Sequence, residues 1–255
     1  MTTILEARQL GKTYSADKNN ATRVLHNIDL SIMKGEFVSI MGPSGSGKST
    51  LLYTVSGMDR PSTGDVFLED ENISGLPEEN LASLRLSRMG FVFQQSSLLK
   101  NLCIMDNIVL PAYKAKKEHP GEINRRAEEL MNRTGISAIA RNGITQVSGG
   151  QLQRAAICRA LINRPDILFG DEPTGALNSK AAAEVMDILA DINAGGTTIL
   201  LVTHDAKVAA RSDRVLFMID GSIAGEFTLG KYDMNNGNWK SREEKLLPWL
   251  GTMGF

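Results

Sequence analysis

The apolar and polar positions of this chain change period along its length, and the changes mark out its elements. From Ile4 to Leu10 and from Val24 to Ile32 they alternate, more clearly in the second run, which predicts two half-buried strands. Between these runs, Ser15 to Thr22 is rich in Asn, Asp and Lys and predicts an exposed loop. Short apolar runs follow, of the kind that fill a buried sheet: Phe37 to Met41, Gly90 to Gln95 ending in amides, Ile167 to Glu172 ending in two carboxylates, and Thr197 to Thr203. Gly64 to Glu69 predicts a further short strand, and Pro77 to Ser87 a helix opened by proline and acidic residues.

From Ser96 to Arg141 strand signals fade, and helical spacing around Met105 to Val109 and Glu122 to Thr134 predicts a helical insert. Helix and strand then alternate again. Gly149 to Asn163 predicts a helix stopped by Arg164-Pro165, Ser179 to Ile192 a second, and Asp205 to Arg211 a short third. Arg214 to Ile219 and Ser222 to Thr228 flank Asp220-Gly221, a hairpin signal. Together the pattern predicts an α/β fold with a helical insert.

Composition narrows the picture only in part. With 255 residues, 42% of them apolar, there is enough chain for one large α/β domain or two small ones. The 28 basic and 29 acidic residues leave a net charge of −1, so no global electrostatic case for nucleic acid exists. The two cysteines, Cys103 and Cys158, form no metal-ligand cluster and read as buried apolar residues in a reducing compartment. No signal peptide stands at the start, and every apolar run is shorter than the ~18 residues of a membrane span. The expectation is a soluble chain unless a partner holds it at a membrane.

Chemistry concentrates in Gly42-Pro43-Ser44-Gly45-Ser46-Gly47-Lys48-Ser49-Thr50, which follows an apolar run and precedes Leu51-Leu52-Tyr53-Thr54-Val55. The order strand, glycine-rich loop, helix is the one a phosphate-binding loop requires. Gly42, Gly45 and Gly47 let backbone amides around Ser44 turn toward phosphate oxygens, while the following helix points its positive end at the same anion. Lys48 would reach the β- and γ-phosphates, and Ser49 would take one position on Mg²⁺. A purely structural glycine-rich turn could carry the same letters, but the flanking strand and helix favour a nucleoside-triphosphate site.

Asp171 and Glu172 stand at the end of an apolar strand, where open α/β sheets place ligand chemistry. Asp171 would support Mg²⁺ and Glu172 would polarise the water that attacks the γ-phosphate. Ser148-Gly149-Gly150-Gln151 opens a helix and makes a second anion site or simply an N-capped helix start. Gln94 could lend an oxygen to Mg²⁺ or to the attacking water, and His204 could touch a γ-phosphate; a buried amide and a structural histidine are the plain readings. Tyr14 could fold back to stack on a base or be an ordinary half-buried tyrosine.

Taken in order from Ile4 to about Thr228, these stretches resemble the ATP-binding-cassette ATPases. Tyr14 is similar to the base-stacking A-loop, Gly42 to Ser49 to the Walker A loop, and Gln94 to the Q-loop glutamine. Val147-Ser148-Gly149-Gly150-Gln151 is similar to the signature LSGGQ, with Val in the leading position. Ile167 to Glu172 is similar to Walker B with its catalytic glutamate, and His204 to the switch histidine. The resemblance implies an α/β P-loop NTPase fold over residues 1–230, with a mixed sheet core, an antiparallel N-terminal β subdomain and a helical subdomain at about 96–160, and a tail at 231–255. It implies ATP and Mg²⁺ as cofactors, with Ser49, Gln94 and Asp171 around the metal and Glu172, His204 and Gln94 as catalytic residues. Tyr14, the loop from Gly42 to Thr50 and Ser148 to Gln151 would bind nucleotide, the last group in a second copy of the domain.

The wording of Met41 to Thr50 and of Asp171 to Leu177 resembles the macrolide-exporter, lipoprotein-release and antimicrobial-peptide-resistance branch, and Asn178-Ser179-Lys180 is similar to its bacitracin-type members. By that resemblance the chain binds a separate membrane permease from the cytoplasmic face, through Ser96 to Tyr113 especially. Asn178 departs from the family's D-loop, which usually carries Asp there. A non-transporting regulator of a membrane protein and a soluble cassette ATPase acting on nucleic acid or ribosomes are the competing readings. The 106 positions between Gly42 and Ser148 carry no sustained heptads, which disfavours the soluble one. The tail, with Leu246, Leu247, Trp249 and Leu250, is expected to pack on its own domain.

Overall fold

A computed structural model describes residues 2–15, 21–233 and 238–255 of the chain. It divides into two compact units, one of Met1–Leu81 with Ala190–Phe255 and one of Ala82–Leu189. The predicted loop at Ser15 to Thr22 lies largely outside the described residues, and its two ends are strand rather than loop.

In the first unit, β1 (Thr3–Ser15) pairs antiparallel with β2 (Ala21–Met33) on one edge and β4 (Thr63–Leu68) on the other, and β5 (Glu71–Asn72) completes the sheet. Both long strands exceed their alternating runs because the register slips. Gln9 and Asn27 sit at φ near 49°, and the Asp29 carboxylate accepts the Gln9 backbone amide at 2.8 Å and its side-chain amide at 2.6 Å. These irregularities let adjacent residues such as Ile4 and Leu5 both be buried, which strict alternation forbids.

The second sheet of this unit is built on β3 (Phe37–Met41), whose residues are all buried. It runs parallel between β8 (Thr198–Val202) and β9 (Arg214–Ile219), and β10 (Ser222–Thr228) returns antiparallel from β9. A strand covered on both faces needs apolar side chains at every position, hence the unbroken runs. The hairpin at Asp220 and Gly221 forms as predicted, with both residues at positive φ. Phe37 donates its amide to Asp213 at 2.9 Å, and Glu36 pairs with Arg214 at 2.6 Å; these bonds fix the register of β3 on β9.

Helix α1 (Lys48–Val55) follows β3 across the glycine-rich loop, and α7 (Ala206–Ala209) follows β8. The tail forms α8 (Trp239–Thr252), a helix that the residue pattern did not announce. Leu246 and Leu250 are fully buried against Met41, Ala206, Ala209, Val215 and Phe217, so the tail packs on its own unit as expected.

The second unit takes in most of α2 (Glu78–Arg88), the parallel pair β6 (Met89–Phe93) and β7 (Ile167–Asp171), and α3 (Ile104–Ala115), α4 (Pro120–Arg133) and α5 (Gly149–Leu161). Helix α6 (Ser179–Ala194) starts here. Its helical core joins Ile104 and Ile108 of α3, Ile123, Ala127 and Met131 of α4, and Ala155, Cys158 and Ile162 at α5. The spacing of four along α4 is the stripe that makes an amphipathic helix bury one side. Cys158 is buried as read from the sequence. Cys103 is not: it is only partly buried, because its sulfur caps α3 by accepting the Asp106 amide.

Candidate functional site

The glycine-rich loop lies between the buried end of β3 and the first turn of α1. Gly47 is the N-cap of α1 at φ 95°, and no side chain caps that helix. The N-terminal amides of α1 therefore face no side-chain acceptor of their own cap, which is the arrangement an anion requires. Gly42 sits at φ 145°, and a Cβ there would lie 2.2 Å from the Met218 carbonyl oxygen of β9. Only glycine lets the loop leave the sheet this close to the neighbouring strand.

Gly221 of the hairpin donates its amide to the Ser46 carbonyl at 3.0 Å and accepts the His26 amide at 2.9 Å, so the loop is braced from outside. The Lys48 ammonium curls over the loop and donates to the carbonyls of Gly42 at 2.9 Å and Pro43 at 2.7 Å. Ser46 Oγ is buried without a hydrogen-bond partner. A cation, uncapped helix amides and an orphaned hydroxyl within one short loop suit an oxyanion with its metal.

Tyr14, near the end of β1, is 45% exposed, and its hydroxyl donates to Asp59 at 2.6 Å. It is thus neither a buried strand residue nor a loose surface one. His204 is exposed and follows Thr203, whose amide donates to the Ile40 carbonyl of β3 at 3.1 Å. The first unit therefore brings Gly42, Ser44, Gly45, Gly47, Lys48, Ser49 and Thr50 into one loop and helix start, with His204 leaving the strand next to theirs.

In the second unit the parallel register sets Phe93 beside Asp171, so Gln94 and Glu172 leave adjacent strand ends. A turn closes over them, in which Gly175 donates its amide to the Glu172 carbonyl at 3.0 Å. A Cβ on Gly175 would lie 2.9 Å from Gln94 Nε2 and 3.3 Å from Glu172 Oε2, which places both side-chain ends against the same small residue. Glu172 has φ 47°, a left-handed backbone that is uncommon for a glutamate and that surrounding structure must hold in place. Such strain collects where a side chain must be aimed.

Ser148 is the N-cap of α5. Its Oγ accepts the Gln151 amide at 3.3 Å, and Gln151 Oε1 accepts the Ser148 amide at 2.8 Å, a reciprocal capping box. Gln151 thus has a structural task within the chain, while Ser148 and Gly149 remain exposed at the helix start. Asn178 Oδ1 accepts the Ala181 amide at 2.9 Å and opens α6.

Supporting residues went unread in the sequence. Gln153 is 2% exposed and donates to the Phe93 carbonyl at 2.9 Å, tying α5 to the strand end that carries Gln94. Arg159 donates to the carbonyls of Ser96 and Ser97 at 2.9 and 2.8 Å, and burial lowers its pKa. Asn107, fully buried, holds the turn at Leu99 to Cys103 through both ends of its amide. The only sequence signal for each is a polar residue on the apolar stripe of a helix.

This loop, these strand-end carboxylates and the capped serine-glycine helix are the parts of a nucleotide-hydrolysing domain. The family described as ABC transporter matches residues 25–175, and the chain belongs to that family, as one of its ATPases using ATP with Mg²⁺. It is similar to the lipoprotein-releasing system ATP-binding protein LolD 1 of Rhodopseudomonas palustris, 40% identical over 88% of this chain and 100% of that protein. It is also 43% identical to the macrolide export ATP-binding/permease protein MacB of Nitrosomonas europaea, over 88% of this chain and 34% of that longer protein. Its fold is similar to the dimeric post-hydrolysis state of the ATP-binding cassette MJ0796 bound to ADP and phosphate, with TM-score 0.83, 37% identity, and coverage of 89% and 100%.

Proposed function

We propose that this chain is the nucleotide-binding subunit of an ABC transporter, that it works as a pair of copies, and that it drives a separate permease from the cytoplasmic face of the membrane. The backbone N–H groups of Ser44 to Gly47 and the Lys48 ammonium grip the β- and γ-phosphates, with Gly42 giving the loop its turn, and Tyr14 receives the base. Ser49, Gln94 and Asp171 are the oxygen donors for Mg²⁺, which when bound offsets the charge on the phosphate oxygens. Glu172 accepts the proton of the attacking water, Gln94 orients that water, and His204 holds the γ-phosphate end. Ser148, Gly149 and Gly150 serve the nucleotide of the other copy, and Gln151 holds their helix start in shape.

The observation that carries the chemistry is Glu172, held at φ 47° with its carboxylate and the Gln94 amide against Gly175. The permease reading is supported by the names of the relatives, which release lipoproteins or export macrolides. The helical insert also offers large apolar side chains to a partner: Leu99, Leu110 and Tyr113 are all more than a third exposed. Among the described residues no helix is long and apolar enough to cross a membrane. The cargo is taken to be of the lipoprotein, macrolide or antimicrobial-peptide class.

The test is Glu172→Gln. It should keep MgATP binding, lose at least about a hundred-fold in turnover, as expected for removal of a general base, and accumulate the paired form by light scattering. Turnover within a few-fold of the unaltered chain would show that Glu172 is not the base. A membrane pull-down with the same variant should bring down a permease. Recovery of ribosomes or nucleic acid alone would overturn the transporter reading and leave the ATPase chemistry intact.

A further inference from the structure

We propose that Lys12 and Asp59 are positioning residues for the nucleobase: they lock the ring of Tyr14, close one of its faces with an ammonium, and leave the other for the base. The inference rests on the reading of Tyr14 as the base platform. Lys12 and Tyr14 are two apart on β1, and the Lys12 ammonium lies over the Tyr14 ring. Asp59 lies just past α1, where its amide donates to the Tyr53 carbonyl at 3.0 Å.

Its carboxylate is divided between two jobs. One oxygen accepts the Tyr14 hydroxyl at 2.6 Å, and the other accepts the Lys12 ammonium at 2.5 Å. That ammonium also donates to the Arg60 carbonyl at 2.7 Å and stands 4.8 Å from the centre of the Tyr14 ring. Lys12 is 8% exposed and Tyr14 is 45% exposed. The cation is therefore sunk behind the ring, and the ring keeps an open side.

A merely structural ion pair would need neither the phenol nor the ring face. Here a half-exposed aromatic is fixed at its polar tip and backed by charge. A free ring would lose rotamer entropy on stacking. A ring already fixed avoids that loss. Asp59 stands just past the end of α1, so the bond from the phenol to its carboxylate also ties the ring to the helix that opens at Lys48. The distance from base platform to phosphate loop is thereby built into the unit.

The protonation states agree with the geometry. Burial pushes the Asp59 carboxyl up, but hydrogen bonds from Lys12 and then Tyr14 outweigh it and leave it below the usual carboxylate range. Burial, followed by the bond to Asp59, raises the Tyr14 phenol. At neutral pH the acceptor is charged and the donor keeps its proton.

The experiment compares binding of ATP and of inorganic tripolyphosphate, each with Mg²⁺, to the full chain and to Asp59→Ala, Asp59→Asn and Tyr14→Ala. Tripolyphosphate has no base and reports on the phosphate loop alone. Asp59→Ala should weaken ATP roughly three- to ten-fold, the range of one lost hydrogen bond, and leave tripolyphosphate unchanged. KM for ATP should rise with kcat held within about two-fold, because the phosphate end is untouched. Adding Asp59→Ala to Tyr14→Ala should change nothing further. Asp59→Asn keeps an acceptor for the phenol and should fall between.

Equal loss of ATP and tripolyphosphate in both Asp59 variants would overturn the inference, since the effect would then run through the phosphate loop. If Tyr14→Ala shifts the ratio of the two affinities and neither Asp59 variant does, the inference also fails, while the base platform stands. If Tyr14→Ala leaves that ratio unchanged, the base platform itself is wrong and the inference goes with it.

Discussion

Arg242 offers the sharpest test of how α8 is held. Its side chain is 6% exposed and donates to five backbone carbonyls: Ala210 at 2.7 Å, Ser212 at 2.6 Å, Gly230 at 2.9 Å, Leu229 at 3.1 Å and Lys231 at 3.3 Å. Burial pushes its pKa below the ordinary value, and nearby Asp213 works the other way. A guanidinium nevertheless stays charged in proteins, so its worth lies in the carbonyls it serves. Arg242→Ala would strand those acceptors and remove the bridge between α8 and the chain around Ser212 and Gly230. Charge-assisted hydrogen bonds are worth about 1.5–3 kcal/mol each but do not add, and truncating one side of a buried charged cluster costs roughly 3–5 kcal/mol. At about 2–4 °C per kcal/mol for a domain of this size, the melting midpoint should fall by about 10 °C. The chain has two tryptophans, Trp239 and Trp249, and both lie in α8. Their emission thus reports this helix directly. Arg242→Lys, with three donors on one nitrogen, should recover only part of the loss. A tryptophan midpoint within about 2 °C of the unaltered chain would refute the reasoning, because it would mean that the five carbonyls find water at no cost.

Two further outcomes are expected. Gly175→Ala would press a methyl group between Gln94 Nε2 and Glu172 Oε2, so kcat should fall roughly ten-fold, about 1.4 kcal/mol, with a smaller loss of MgATP affinity through Gln94; equal loss of both in steady-state kinetics would contradict the placement. Burial pushes the Cys158 thiol up from 9.0 to about 11, against a smaller opposing effect of its bond with Thr134, so iodoacetamide at pH 8 should modify Cys103 and spare Cys158 until the chain unfolds. Because the folded value is the higher one, the stability linked to this thiol is complete below pH 9 and is lost as pH rises from 9 toward 11, a trend that denaturation midpoints of Cys158→Ala should lack.

Where one physical demand acts on a segment, its residues announce it. A strand covered on both faces must be apolar throughout, and β3, β7 and β8 were legible for that reason. The Asp220-Gly221 hairpin and the loop from Gly42 to Thr50 were legible because their backbones exclude most other residues. Segments serving two demands were not. β1 and β2 carry bulges at Gln9 and Asn27, residues that can take a left-handed backbone but usually do not, so the alternation ended early. Lys12 and Asp59 look like solvated charges until the fold brings them together behind Tyr14. In α8 a central Pro248 and a buried Arg242 hide the stripe of Leu246 and Leu250. At the strand ends the residue types pointed to Asp171, Glu172 and Gln94, but the left-handed turn of Glu172 had no letter of its own.

Asn178 shows how the structure separates a folding requirement from a functional one. Its side-chain oxygen accepts the Ala181 amide and its carbonyl accepts the Ala182 amide, both at 2.9 Å, so it opens α6 as an aspartate would. An aspartate would do this with an added gain from the helix dipole of about 0.3–1 kcal/mol. Helix formation alone therefore does not favour the neutral residue. The side chain is exposed, and no fold within the chain demands that it lack charge. The same short stretch already carries Asp171 and Glu172, and Glu172 is held in a strained backbone against Gly175. The neutral amide keeps the cap and leaves the local charge to the two carboxylates that end β7.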